Sequence, residues 1–245
     1  MVLNHRAEYQ ALPLADKEKL LKQRIQHFPD FQFKRMERFE AFGQITETGV
    51  FQYKDGGEFV FVPGDTVTLG WNAETSQMNE ETRQEIEQML GDLQLEQFLN
   101  ENCTPVRTAV ISPMLVERDV NEIGWKITSE TDPRIIEDKY AKEFLAGFLK
   151  EKNPGIHELN NTLKLQYQDG KLLVQIYEEI SYQELVQSVQ SDGFDLPTED
   201  EWEYLCGGGS RTLWRWGDSF DFQMNLPHFQ IDDLFGILTG RISLV

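Results

Sequence analysis

One helix start near the end of this chain constrains the local fold more than any other segment. Residues 193–204 are Gly-Phe-Asp-Leu-Pro-Thr-Glu-Asp-Glu-Trp-Glu-Tyr. Pro197 biases the residue before it toward extended backbone, and Thr198 is a good N-cap residue. Glu201 stands three residues after Thr198, which is the spacing of a capping box. The segment therefore predicts a helix that begins just after Thr198, with acidic residues in the first turn, where the helix dipole favours them.

The same region predicts the end of this helix and the start of the one before it. Trp202 and Leu205 are three positions apart, so both can face a core. Consecutive glycines at 207–209 end the helix. Ser181 is followed three residues later by Glu184, which indicates a second capping box. The apolar contacts of that earlier helix are expected from Leu185, Val186 and Val189.

Helical and strand patterns alternate along the rest of the chain. Apolar runs on both sides of the turn residues 54–57 and 168–171 predict two β-hairpins. Apolar residues at helical spacing predict helices near residues 14–28, 79–100 and 138–152. Because helices and hairpins mix along the chain, the pattern favours the α+β class.

Two of these helices have a definite predicted inner face. In the helix near residues 14–28, Lys17 and its neighbouring basic residues belong to the expected solvated side. The expected buried residues are Leu14, Leu20, Leu21, Ile25 and Phe28. In the helix near residues 138–152 they are Tyr140, Phe144, Leu145 and Phe148.

The charge balance of the chain excludes several classes of partner. Asp and Glu number 42 against 23 Lys and Arg, which gives a formal net charge of −19. This charge opposes broad contact with nucleic acid and with anionic membranes. The chain contains no apolar run long enough to span a bilayer, and its first residues lack the apolar core of a secretion signal. We therefore expect a cytoplasmic protein with neither nucleic acid nor membrane as partner. Another protein is the candidate partner.

Residues 180–218 contain two motifs that recur together in a known family. Segment 193–204 is followed by Trp214-Arg215-Trp216-Gly217-Asp218. In this order they resemble the signature of the formylglycine-generating enzyme (sulfatase-modifying factor) family. Residues 59–70 and Phe235-Gly236 are similar to further family segments, whereas residues 71–160 follow no family pattern. The matching motif positions are Ser181, Glu184, Leu196, Pro197, Thr198, Glu201, Trp202, Tyr204, Trp216, Gly217 and Asp218.

The resemblance implies an irregular fold similar to that of C-type lectins, here with additional helices and β-hairpins. It implies one domain over residues 1–245, with a core match at 180–218. Residues 71–160 are then an insertion or a family-specific region. It does not imply one activity. Family members include copper-dependent oxidases that make formylglycine, domains attached to nonheme-iron sulfoxide synthases, and binding proteins without catalysis.

The metal ligands of these enzymes have no clear counterpart in this chain. The oxidases bind copper(I) through two closely spaced cysteines of a C-terminal segment. Here the cysteines are Cys103 and Cys206, and Cys206 falls on a position that is small and apolar in the family. We expect a packed thiol there, with a Cys103–Cys206 pair as the open alternative. Iron requires clustered histidines, and these are spread over His5, His27, His157 and His228.

Other candidate sites each have a plainer alternative. Calcium is a possible ligand of an acidic stretch that is otherwise a solvated loop, formed by Asp218, Asp221, Asn225, Asp232 and Asp233. An aromatic ligand platform is the second candidate, formed by Trp214, Arg215 and Trp216. Paired acids for proton transfer are the third, formed by Glu199, Glu201 and Glu203. Their structural roles explain them better, because Glu201 is the capping-box partner and the other two suit an exposed first turn. Asp195 replaces an arginine of the family motif, so any ion pair made by that arginine is lost.

These observations predict a non-catalytic or degenerate member of the family that acts as a binding or structural module, shortened at its C-terminus. No catalytic residue is assigned, the metal site is unknown, and no cofactor is expected, with copper and iron disfavoured. The alternative is a metal-dependent oxidase or sulfoxide-synthase-type enzyme that needs a partner or a missing C-terminal segment. A third hypothesis is a protein-interaction subunit that uses the unmatched middle region.

Overall fold

Helices and antiparallel strands share the described part of the chain. The structure is a computed structural model that describes residues 2–41, 44–73, 76–118, 123–151, 155–168, 170–208, 210–214 and 217–219. After a 3-10 helix at Val2–Asn4, the α-helices are α1 (Arg6–Ala11), α2 (Leu14–Ile25), α3 (Glu80–Leu90), α4 (Leu95–Asn102), α5 (Pro133–Ile136), α6 (Lys139–Glu151), α7 (Tyr182–Ser191) and α8 (Glu199–Gly207).

The strands are β1 (Phe31–Ala41), β2 (Gln44–Tyr53), β3 (Glu58–Val62), β4 (Asp65–Leu69), β5 (Arg107–Ile111), β6 (Met114–Glu117), β7 (Trp125–Thr128), β8 (His157–Leu159), β9 (Leu163–Gln168) and β10 (Lys171–Tyr177). All strand pairs in the described residues are antiparallel. The α+β class is confirmed, as are both predicted hairpins, β2–β3 and β9–β10.

The described residues form two compact units. The first combines the chain up to Arg118 with the residues from Pro197 onward, and the second lies between residue 123 and Leu196. Residues 180–218, for which the sequence predicts the family resemblance, are therefore divided between the two units. Helix α7 belongs to the second unit and helix α8 to the first. The prediction of a single domain over residues 1–245 stays a prediction.

The first unit is organised around a four-stranded sheet in the order β1-β2-β3-β6, with a separate pair β4-β5. Helix α2 packs on one face of the larger sheet. There a Cβ atom added to Gly49 would lie 2.7 Å from Leu21 Cδ1, so the helix approaches the sheet at a residue without a side chain. Tyr9 packs beside it, with its ring centroid 5.3 Å from that of Phe61.

The inner face of α2 differs from the prediction. Leu21 is buried, but Leu14 and Phe28 are 47% and 55% exposed. Lys17, predicted on the solvated side, is buried, and its Nζ lies 2.9 Å from Glu47 Oε2. Lys17 precedes Leu21 by one helical turn, so both face the sheet. An ion pair with a strand residue, together with the Tyr9 ring at 5.7 Å, makes a buried ammonium tolerable there.

Both predicted capping boxes are present. Thr198 Oγ1 accepts from Glu201 N at 3.3 Å, and Glu201 Oε2 accepts from Thr198 N at 2.9 Å. Ser181 and Glu184 make the same reciprocal pair at the start of α7. Helix α8 ends as expected, because Gly208 is left-handed at φ +58° and donates to Tyr204 O.

The second unit has its own sheet, in the order β7-β10-β9-β8, with α6 packed on it. Leu145 and Phe148 face the core as predicted, whereas Tyr140 is 71% exposed and that part of the prediction is wrong. Ala141 takes the inner position instead, one residue later. The buried residues of this core are Ile135, Ala141, Leu145, Phe148, Leu163, Leu165, Val174 and Ile176.

Over the residues described, none of the helices combines the length and the apolar composition that crossing a membrane requires.

Candidate functional site

Helix α8 contacts the early segment 59–70 through two of its side chains. Tyr204 is buried, and its hydroxyl donates to Pro63 O at 3.3 Å. Glu203 Oε1 accepts from Gly70 N. Pro63 and Gly70 both belong to the early segment 59–70. A Cβ atom on residue 70 would lie 2.3 Å from Pro105 O, and the φ of Gly70 is +86°. Both the close approach to Pro105 and the backbone conformation therefore require glycine at this position.

The carboxylates on one side of α8 hold the strand β5 and the residues before it. Arg107 Nε donates to Asp200 Oδ1 at 2.7 Å, and its Nη2 lies 2.9 Å from Glu203 Oε2. Thr104 Oγ1 donates to the same Glu203 oxygen at 2.9 Å. The expectation that Glu203 suits an exposed first turn is therefore wrong, because this part of α8 lies against β4 and β5. These acids have structural partners on neighbouring elements.

Asp218, the last residue of the second motif, is also engaged with the fold. It is buried, and its Oδ1 accepts from Leu213 N at 2.8 Å and from Trp71 Nε1 at 3.3 Å. Its Oδ2 accepts from Gln77 N at 2.9 Å. One carboxylate thus accepts from the Trp71 side chain and from two backbone N–H groups, and it joins its own turn to residues 71 and 77. Sequence reasoning placed Asp218 in the motif but did not predict these partners.

The remaining predicted positions lie in different settings. Trp202, expected in the core, is half-buried, and Tyr204 is the fully buried ring of α8. Trp214 is buried and bridges Gly217 in a tight turn. Asp195 accepts from Gln190 Nε2 at 3.1 Å. Leu196 and Pro197 are half-buried. Outside the described residues lie Arg215, Trp216, Asp221, Asn225, Asp232, Asp233 and the segment Phe235-Gly236.

A cavity of about 370 Å³ opens between the C-terminal part of α8 and the sheet of the first unit. Thr46 and Thr48 on β2 are two positions apart and face the same side of the sheet, as do Val60 and Val62 on β3. Its remaining walls are Arg6, Phe39, Phe61, Pro63, Tyr204, Leu205, Cys206, Gly207 and Gly208. We call this cavity the α8 groove. Its volume lies in the range of small-molecule sites, and its walls are mostly apolar.

The polar groups of the α8 groove are few. Arg6 Nη1 donates to Gly208 O at 2.9 Å, which seats the guanidinium at the end of α8. Thr48 Oγ1 donates to Phe61 O. Burial raises the pKa of Tyr204, while the charge of Arg6 acts to lower it and the charge of Asp65 acts to raise it. The groove is therefore a mostly apolar space with a few polar groups at its margin.

The two cysteines have different environments. Cys206 lines the α8 groove and is partly exposed. Cys103 lies before β5, where burial and the charge of Glu203 raise the pKa of its thiol. Neither of them forms a disulfide. A raised pKa leaves less thiolate at neutral pH, which makes Cys103 a weak nucleophile and a weak metal ligand.

Within the part of the chain that the structure describes, no three His, Cys, Asp or Glu side chains are grouped so that they could hold a metal ion. Sequence reasoning missed the α8 groove, because its walls come from α1, β1, β2, β3 and α8, which no local pattern relates.

Compared with known proteins, the chain matches no family model, no curated protein and no solved structure.

Proposed function

We propose that this chain is a non-catalytic binding module with an irregular fold like that of the formylglycine-generating enzyme family, and that the α8 groove is its ligand site. One observation supports this most directly. Glu201 and Asp218 of the matching motif, and the neighbouring Glu203, all bond to backbone or side-chain groups of the fold. These contacts give the motif residues a structural role. They hold α8 in place, and α8 forms one wall of the α8 groove.

The convergence of segment 59–70 with α8 supports the family-like fold. In the sequence these segments are far apart, and each resembles a different segment of the family. The contacts Tyr204–Pro63 and Glu203–Gly70 join them in one unit. We place the module in the cytoplasm, since neither cysteine forms a disulfide and reducing compartments preserve thiols.

A neutral dye tests whether the groove binds apolar ligands. We expect Nile red to gain fluorescence with the wild-type protein. Thr46→Phe should reduce this gain, because the larger ring fills the groove from a strand position that accepts aromatic residues. Thr68→Phe is the matched control, an exposed strand threonine that lies outside the groove lining and should leave the dye signal unchanged.

Cys206 reports the same occupancy chemically. In a Cys103→Ser background, the dye should slow alkylation of Cys206 by iodoacetamide, because the thiol lines the groove. An equal dye signal in Thr46→Phe and wild type, together with an unchanged alkylation rate, would refute the groove as a ligand site. Copper or iron at one atom per purified chain, with oxygen-dependent turnover of a thiol peptide, would instead support the enzyme alternative.

A further inference from the structure

One threonine hydroxyl in the α8 groove has no partner among the described residues, and this indicates the chemistry of a ligand. We propose that the groove binds a neutral amphiphile with one hydroxyl group, whose apolar body lies between β3 and α8 and whose hydroxyl bonds to Thr46. This inference rests on the proposed function, because it specifies what the same groove would hold.

The lining of the groove is apolar on β3 and α8 and polar on β2. Val60 and Val62 line it from β3, and Leu205 lines it from α8. Thr46 and Thr48 interrupt this apolar lining on β2. Removing apolar surface from water is favourable, so an alkyl body gains affinity beside the valines and the leucine. The threonines mark the place where the ligand carries its polar group.

The polar side chains of the groove differ in whether the fold already engages them. Tyr204, Thr48 and Arg6 each donate to a backbone carbonyl group. Thr46 is half-buried, and within the described part of the chain its hydroxyl makes no hydrogen bond. A hydroxyl group both donates and accepts, and losing water without gaining a bond is unfavourable. A ligand that fills the groove therefore has to supply a partner to Thr46.

The charges in and around the groove favour a ligand without charge. Among the described lining residues Arg6 has the only charge, and its Nη1 donates to Gly208 O at 2.9 Å. The same lining contains no carboxylate, so a cation meets no opposite charge there. The net charge of −19 repels an anion at long range. A neutral hydroxyl satisfies Thr46 without taking a charge out of water.

Displacement of Nile red from the full chain by octan-1-ol and by 1-fluorooctane tests the inference. Both probes have the same alkyl chain, and fluorine is close to a hydroxyl group in size but is a poor hydrogen-bond partner. We expect Thr46→Val, which replaces the hydroxyl by a methyl group, to weaken octan-1-ol about fivefold and to leave 1-fluorooctane within about twofold. Thr46→Ser, which keeps the hydroxyl, should leave octan-1-ol within about twofold of wild type. Thr68→Val, at an exposed strand position outside the lining, is the matched control and should change neither probe.

The outcomes separate this inference from the proposed function. If Nile red binds wild type but octan-1-ol does not displace it, the hydroxyl preference is overturned and the groove stands as a ligand site. The same conclusion follows if Thr46→Val weakens both probes equally or weakens neither. If Nile red neither binds wild type nor protects Cys206, both proposals fail. Retained binding of 1-fluorooctane by Thr46→Val shows that the groove is still folded in that variant.

Discussion

At the scale of single residues, burial in this fold changes side-chain chemistry in ways that no local pattern shows. Tyr9 is fully buried, and among the described residues its hydroxyl has no hydrogen-bond partner of good geometry. Burial is the main reason that the pKa of Tyr9 rises to about 12; nearby Thr48 acts to lower it and the charge of Glu47 acts to raise it. The environment of Tyr9 is therefore one that would suit phenylalanine, because the hydroxyl is buried without a good hydrogen bond.

We expect Tyr9→Phe to be neutral or to stabilise the fold by about 1 kcal/mol at pH 7, because it removes a buried polar group that makes no good bond. The pKa of Tyr9 in the folded state lies above its unfolded value of 10. The stability linked to the protonated hydroxyl is therefore fully present below pH 10 and is lost as the pH rises toward 12. The advantage of the variant should therefore grow between pH 10 and 12. Urea unfolding at pH 7 and 11 measures it.

Tyr182→Phe is the control for this comparison, since Tyr182 is 72% exposed. Its difference from wild type should be the same at pH 7 and pH 11. A Tyr9→Phe difference that is also the same at both pH values would contradict the assigned environment of Tyr9.

Asp218 shows the opposite case, a buried acid with many partners. We expect Asp218→Ala to lower the free energy of unfolding by about 3 kcal/mol, because it leaves the N–H groups of Trp71, Gln77 and Leu213 without their acceptor. Asp218→Asn keeps one acceptor oxygen and should lose less. Asp92→Ala, at an exposed loop position, should stay within about 0.5 kcal/mol of wild type. Chemical denaturation measures the free energy of unfolding of all three variants. Equal losses in the three would contradict the assigned partners and would make Asp218 a solvated loop residue.

At the scale of elements, the helix starts follow from sequence and the helix faces do not. A capping box needs only residues three positions apart, so α7 and α8 begin where the motif predicts. The buried side of a helix depends on what packs against it. For this reason Lys17 lies on the buried face of α2, and Glu203 on α8 bonds to Thr104. It is also why Trp202 is only half-buried, whereas Tyr204 is buried.

The α8 capping box gives a prediction at this scale. Thr198→Ala should cost about 1 kcal/mol, because it removes the acceptor of the Glu201 amide. The double variant Thr198→Ala/Glu201→Ala should cost less than the sum of the single variants, with a coupling of about 0.5 kcal/mol or more, since the two residues serve one motif. Thermal unfolding of the complete cycle measures this coupling.

Glu199 supplies the comparison, because it occupies the same exposed first turn outside the box. Combining Glu199→Ala with Thr198→Ala should give additive costs. Additivity in the Thr198–Glu201 pair as well would mean that the reciprocal bonds contribute nothing measurable.

At the scale of the whole molecule, the two units differ in how their chain is assembled. The first unit needs residues from both ends of the described chain, since α8 packs with β4 and β5. The second is continuous and contains its own core. A segment whose core contacts all lie within itself can fold independently of distant parts of the chain.

We therefore expect a fragment of residues 123–196 to fold alone and to unfold in one cooperative transition. Its core of Ile135, Leu145, Phe148 and Leu165 lies entirely within the fragment. Leu165→Ala should abolish the transition, since burying leucine there is worth about 2–5 kcal/mol. Leu149→Ala, at a residue that is 38% exposed, should retain it. A fragment without a transition in circular dichroism would show that this core needs the rest of the chain.

The sequence alone determined the α+β class, both hairpins, both capping boxes and the end of α8 at its glycines. Each of these depends on residues within a few positions of one another, where backbone preference and turn chemistry decide the conformation. Tertiary structure decided which helix faces are buried, which partners Glu203 and Asp218 take, and that Arg6, Thr48 and Cys206 border one groove. Those outcomes depend on packing between residues far apart in the chain, so no short-range pattern encodes them.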